Sequence, residues 1–216
     1  MQRQLDQLPQ WLDKWRLRVN VSKTQAISMG RRHPPQPPSL MGQPLQWART
    51  VKYLGVTIDR GLSMKQHTKE VVEKSRAARA LLRPVLRSDL PLRAKLAVYK
   101  TYIRSHLTYA APAWYALVKE PERGRLRAQQ SLVLRTLVDA PWCVRNATIA
   151  RDLHMESLDD FITRLSRAMF QRADASTFAH IREVAPYHRR PPDGHALPRD
   201  LLPAALPGLT PHKHPP

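Results

Sequence analysis

The chain has 216 residues and carries 36 Lys plus Arg against 17 Asp plus Glu, a net charge of +19, with 42% hydrophobic residues to build a core. A single cysteine, Cys143, excludes an intrachain disulfide framework and a cysteine-rich zinc module. No run of about 18 apolar residues and no N-terminal apolar signal core are present, so the expectation is an intracellular protein, nuclear or cytoplasmic, not secreted and with no membrane partner.

From the N-terminus, Leu5, Leu8, Leu12 and Trp15 share one face of an amphipathic helix over residues 1–16, weakened by Pro9. Leu17, Val19 and Val21 then alternate with polar residues, which predicts a strand, and a β-rich run covers 24–29. After a loop rich in proline, residues 40–45 predict two short strands around a tight turn. Residues 51–59 read as one strand, with Gly55 at a bulge or a close backbone approach. Helices follow: 63–87, started by Ser63 and bent near Pro84; 91–110, started by Pro91 and ended by Pro112; 121–138, burying Leu126, Val133 and Leu137. Shorter helices are expected at 147–154 and 157–171, with a turn at 175–184. From Pro186 onward 9 of the 20 prolines fall in the last 31 residues, which predicts a disordered tail. The fold class is therefore α+β and predominantly α, divided as 1–62 (small and β-rich), 63–172 (a helical bundle) and 173–216 (partly helical, then a disordered proline-rich tail).

The positive charge is concentrated. Residues 1–120 hold 22 Lys/Arg and 7 Asp/Glu, a balance of +15, whereas residues 121–216 hold 14 and 10, a balance of +4. On the 63–87 helix, Lys65, Lys69, Arg76, Arg79, Arg83 and Arg87 fall within an arc of about 80° at 100° per residue. Val71, Ala78, Leu81, Leu82 and Val85 lie opposite, so one face should pack and the other present a basic ridge. Cations one helical turn apart suit a phosphate backbone, which favours nucleic acid as partner. A face selected for solubility alone would mix signs. Arg93, Lys100 and Arg104 repeat the theme on the next helix.

Catalytic chemistry is sparse. Cys143 reads as a buried thiol, and Trp11, Trp15, Trp47, Trp114 and Trp142 read as core or seam packing. Asp159-Asp160 follows Ser157 at a helix start, where acidic residues complement the helix dipole and fit a cap. No metal site is legible; His212 and His214 stand in the proline-rich tail. Lys23, in Asn20-Val21-Ser22-Lys23-Thr24, is the best single proton-donor candidate.

Several segments together resemble a known family. Trp11 to Asn20 followed by Lys23-Thr24 resembles motif D of the reverse transcriptases of non-LTR (LINE-type) retrotransposons, and Val51 to Asp59 resembles their motif E hairpin, the primer grip. Tyr99 to Arg104, Leu107 to Trp114 and Ala140 to Asn146 resemble the thumb and post-thumb region of the jockey-like branch. The resemblance covers about residues 5–172. It implies a palm remnant followed by thumb and connection: Lys23 as the motif D lysine near incoming nucleotide, Tyr53, Leu54 and Gly55 as the primer grip, and residues 65–87 as a thumb helix along the template–primer duplex, RNA or DNA. The family's catalytic Asp-Asp motif, and the Mg2+ expected for the complete polymerase, would lie upstream of Met1. A chain of this kind is expected to be inactive as a polymerase alone and to pair with the palm and fingers of a parent enzyme. Two other readings stand beside it: a non-catalytic nucleic-acid-binding or interaction protein derived from a retroelement, and an unselected truncated fossil frame.

Overall fold

In a computed structural model, residues 2–29, 34–183 and 197–202 are described. The chain divides into two compact units, residues 1–67 and 68–216.

The first unit opens with helix α1 (Gln2–Lys14), which carries Pro9 in its interior. Leu5, Leu8 and Leu12 are half-buried, while Trp11 and Trp15 are exposed with ring centroids 6.2 Å apart. The Gln2 amide donates to the Ser39 carbonyl and accepts from the Ser39 N–H, both at 2.9 Å, tying the helix to a strand edge. The strand predicted at 17–21 does not form. Asn20 instead caps a 3-10 turn, Val21–Lys23, its Oδ1 accepting from the Lys23 N–H at 3.1 Å. An Asn side chain that captures a nearby backbone donor offers the chain an alternative to a ladder.

Among the described residues six short strands follow: β1 (Ala26–Ile27), β2 (Ser39–Leu40), β3 (Gln43–Pro44), β4 (Trp47–Ala48), β5 (Thr50–Tyr53) and β6 (Val56–Asp59). They form three two-stranded sheets, parallel β1–β4 and antiparallel β2–β3 and β5–β6. The β2–β3 pair realises the expected tight turn, with Met41 and Gly42 both at positive φ. The single strand expected over 51–59 is a hairpin instead. The chain reverses at Leu54 (φ 45°) and Gly55 (φ 83°), with Tyr53 paired to Val56. Positive φ at both central residues matches the right-handed strand twist, so Gly55 is a turn residue and not a bulge.

Asp59 then organises the entry into a long helix. Its carboxylate accepts from the backbone N–H groups of Gly61 (3.0 Å), Ser63 (3.1 Å) and Met64 (2.8 Å) and from the Ser63 hydroxyl (3.1 Å). Helix α2 (Lys65–Leu86) thus starts two residues after the expected cap Ser63, with Pro84 in its last turn. Buried His67 accepts the Thr57 N–H on Nδ1 at 3.2 Å, fixing β6 to the helix start.

In the second unit the 91–110 helix is three segments. α3 (Leu92–Val98) passes through a π turn (Tyr99–Ile103) into α4 (Arg104–Thr108). Tyr99, Ile103 and Leu107 are fully buried as their spacing demands, whereas Leu92 is largely exposed. Pro112 does not merely follow a helix end: it sits in the first turn of α5 (Ala111–Trp114), where its missing N–H costs nothing. Then come α6 (Glu120–Leu137), α7 (Asn146–Asp152), α8 (Leu158–Asp174) and α9 (Ala179–Arg182). The core joins Ala78 and Leu86 of α2 with Tyr99, Ile103, Val133, Leu134, Leu137, Ile149 and Met155. Leu126, Val133 and Leu137 lie on the buried face of α6 as expected. Arg199 forks onto Asp174 at 2.6 and 2.9 Å and holds the turn at Pro198–Leu201 against α8. The rest of the proline-rich tail, His212 and His214 included, lies outside the described residues. The chain is predominantly helical with a small β part. Among the described residues no helix is long and apolar enough to cross a membrane.

Candidate nucleic-acid interface

Helix α2 sorts its residues by face. His67, Thr68, Val71, Val72, Ser75, Ala78 and Leu86 are buried; Lys65, Lys69, Arg76, Arg83 and Arg87 are exposed, and Arg79 is half-buried. Laid out at 100° per residue, the cations run along one margin of the buried face, about 90° from its centre and not opposite it. Leu81, expected to pack, is 70% exposed, because the buried arc is centred on Ser75 and Leu82 and leaves residue 81 outside. Val72 interrupts the cation row, which leaves a seven-residue step between Lys69 and Arg76. At 1.5 Å per residue the row extends about 33 Å, the length of about one turn of duplex.

Among the described residues little neutralises this row. Lys65, Lys69, Arg76, Arg79 and Arg83 make no ion pair among the described residues, and Arg87 lies 3.7 Å from Asp139 with both side chains well exposed. Partial burial, followed by repulsion from Arg76, pushes the Arg79 pKa down. An anion seated between the two guanidiniums would relieve that repulsion.

Arg93 and Lys100 are exposed as well, but Arg104 is spent inside the fold. Its guanidinium lies 3.8 Å from the Phe161 ring centroid and 3.7 Å from Glu156, and its side chain is only 12% exposed. The wider π turn changes the rotation between residues 100 and 104, so the flank expected from a uniform helix is not continuous.

The remaining sequence candidates lie in the first unit. Tyr53 and Leu54 are exposed at the tip of the β5–β6 hairpin beside Gly55, and Lys23 is exposed on its 3-10 turn.

Asp159 and Asp160 are engaged locally. Asp159 accepts from the buried Tyr115 hydroxyl and lies 3.5 Å from Arg127, while Ser157 caps α8 by accepting from the Asp160 N–H at 3.0 Å. Burial first, and then the bond to Asp159, push the Tyr115 phenol up. No cluster of three His, Cys, Asp or Glu able to hold a metal occurs among the described residues.

Two surface features run against the sequence reading. Trp142 is 92% exposed and Cys143 is exposed, where both were expected to be packed. Val138, Ala140 and Val144 stand at helical or strand spacing from Trp142, but no helix or strand forms over residues 138–145 to bring them onto one face with it. Trp114, by contrast, is fully buried.

Over 203 residues the chain is 30% identical to the probable RNA-directed DNA polymerase from transposon X-element of Drosophila melanogaster, covering 89% of this chain and 22% of that one. It is 28% identical over 175 residues to the RNA-directed DNA polymerase from mobile element jockey of the same species (80% and 19% of the two chains). It is also 30% identical over 169 residues to the probable enzyme from transposon BS, again of Drosophila melanogaster (76% and 18%). The chain thus spans about a fifth of the length of the curated relatives it matches. No family model and no solved structure matches it.

Proposed function

We infer that this chain is a portion of a non-LTR retrotransposon reverse transcriptase, and that its part in the enzyme is to hold the backbone of a template–primer duplex along α2. The supporting observation is the cation row from Lys65 to Arg87, which has one ion pair, at its far end, among the described residues. Arg93 and Lys100 extend the contact surface; Arg104 serves the fold. In this reading residues 1–62 are a palm remnant, 63–172 thumb and connection, Lys23 sits near incoming nucleotide, and Tyr53, Leu54 and Gly55 form a primer grip. In this reading the catalytic carboxylates and the Mg2+ of the complete polymerase belong to its palm and fingers.

The test is a salt titration of the full chain on a blunt 20-base-pair DNA duplex, followed by fluorescence anisotropy. Four to six phosphate contacts at about 0.9 each give a log–log slope of about −3.6 to −5.4. Absence of binding at low salt, or a slope shallower than about −2, refutes the assignment.

A further inference from the structure

The segment after α6 spends many hydrogen bonds on a stretch whose most prominent side chain packs on almost nothing. Arg135 donates to the Pro141 carbonyl (2.8 Å), the Val144 carbonyl and Asn146 Oδ1 (2.8 Å), so one guanidinium fixes both sides of Trp142. Lys95 Nζ donates to the carbonyls of Leu137 and Ser88, both at 3.2 Å, which ties the start of this loop to the end of α2. Asp139 meets Arg87, the last cation of the α2 row, at 3.7 Å. Within this frame Trp142 stands 92% exposed, flanked by exposed Arg145. The indole contributes little to the core. A rigid platform, however, loses little entropy when a flat π-face settles on it.

We propose that Trp142 stacks on an unpaired nucleobase where a single strand leaves the duplex held along α2. The charge around the indole selects this occupant. Arg145 follows it three residues on, Arg135 donates to carbonyls on both sides of it, and Asp139, three residues before it, faces Arg87. The loop is bound to the end of the cation row, where a backbone followed along α2 would continue. Every base offers a π-face, so the contact recognises unpaired structure and not sequence. The inference rests on the proposed backbone-binding role of α2 and adds a second, aromatic subsite to it.

The experiment compares the full chain on a blunt 20-base-pair duplex and on the same duplex with a five-nucleotide overhang, at one salt concentration. Wild type binds the overhang substrate more tightly. Trp142→Ala weakens overhang binding about 5- to 100-fold and blunt binding less than about 2-fold, and Trp142→Phe retains most of the affinity. An unchanged melting temperature shows that the substitution left the fold intact, as expected for so exposed a side chain. If blunt duplex binds but Trp142→Ala leaves overhang affinity unaltered, stacking is refuted and the α2 assignment survives. Equal weakening on both substrates also refutes it. An effect of Trp142→Ala on self-association alone assigns the indole to a protein contact and overturns the proposal. Failure of wild type to bind either duplex overturns both readings.

Discussion

Replacing Arg104 with Ala separates a cation that serves the fold from one that serves a ligand. The guanidinium lies 3.8 Å from the Phe161 ring centroid and 3.7 Å from Glu156, with 12% of its side chain exposed. A cation–π contact at a largely desolvated site contributes about 1–2 kcal/mol, and a partly screened ion pair up to about 1 kcal/mol. Against these stands the desolvation that pushes the Arg104 pKa down, a cost the substitution relieves. Glu156 keeps Arg164 at 2.6 and 3.2 Å, so truncation orphans no carboxylate. The net loss is about 1–3 kcal/mol, which at about 2–4 °C per kcal/mol lowers the melting temperature by about 2–12 °C. Circular dichroism melts and the salt slope of duplex binding are read on the same preparation. Arg104→Ala melts early with its slope intact, whereas Arg83→Ala melts normally and loses about 0.9 of slope. A slope reduced by about one in Arg104→Ala, with no change in melting, would mean that the side chain faces solvent and the reasoning is wrong.

The divergence between pattern and structure is clearest where pairing or rotation is non-local. Leu126, Val133 and Leu137 needed only helical period to be placed in the core, and Ser157 announced the start of α8 by side-chain chemistry alone. Leu54-Gly55 lacks the Asn-Gly or Asp-Gly signature of a hairpin turn, so the residue pattern showed one strand over 51–59 and only the motif E resemblance implied the reversal at a leucine of positive φ. The alternation at 17–21 has strand period, but a strand requires a neighbour, and Asn20 takes the backbone donor first. On α2 the cation row was legible; its offset from the packed face was not, because which arc is buried depends on what the helix meets. Arg104 shows the same limit, since a π turn breaks the uniform rotation that placed it with Arg93 and Lys100. Trp142 and Cys143 were assigned to packing on residue type, and exposure is decided by neighbours the sequence does not display.

Asp59→Ala strands three backbone N–H groups at the entry to α2 and should cost about 2–4 kcal/mol, seen as faster hydrogen exchange over residues 56–66 with α6 unchanged; equal exchange there would discount the carboxylate. Burial raises the phenol pKa of Tyr99 and of Tyr115 above the ordinary value of 10.0, so folding favours their neutral forms. The stability they add is fully present below pH 10 and is lost as pH rises toward their folded values. Absorbance at 295 nm should therefore leave two of the six tyrosines un-ionised until circular dichroism reports unfolding, and their early titration would contradict the burial. Arg135→Ala should speed exchange across residues 138–146 without altering the melting of α8, because the guanidinium donates to Pro141, Val144 and Asn146.

The most direct measurement is the salt slope of duplex binding for wild type beside Arg76→Glu/Arg79→Glu/Arg83→Glu, two exposed cations and one half-buried cation on the same margin of α2. Three lost phosphate contacts flatten the slope by at least about 2.7, from a wild-type value of about −3.6 to −5.4, with the melting temperature preserved. Identical slopes in the two proteins would show that the nucleic-acid backbone lies elsewhere on the molecule.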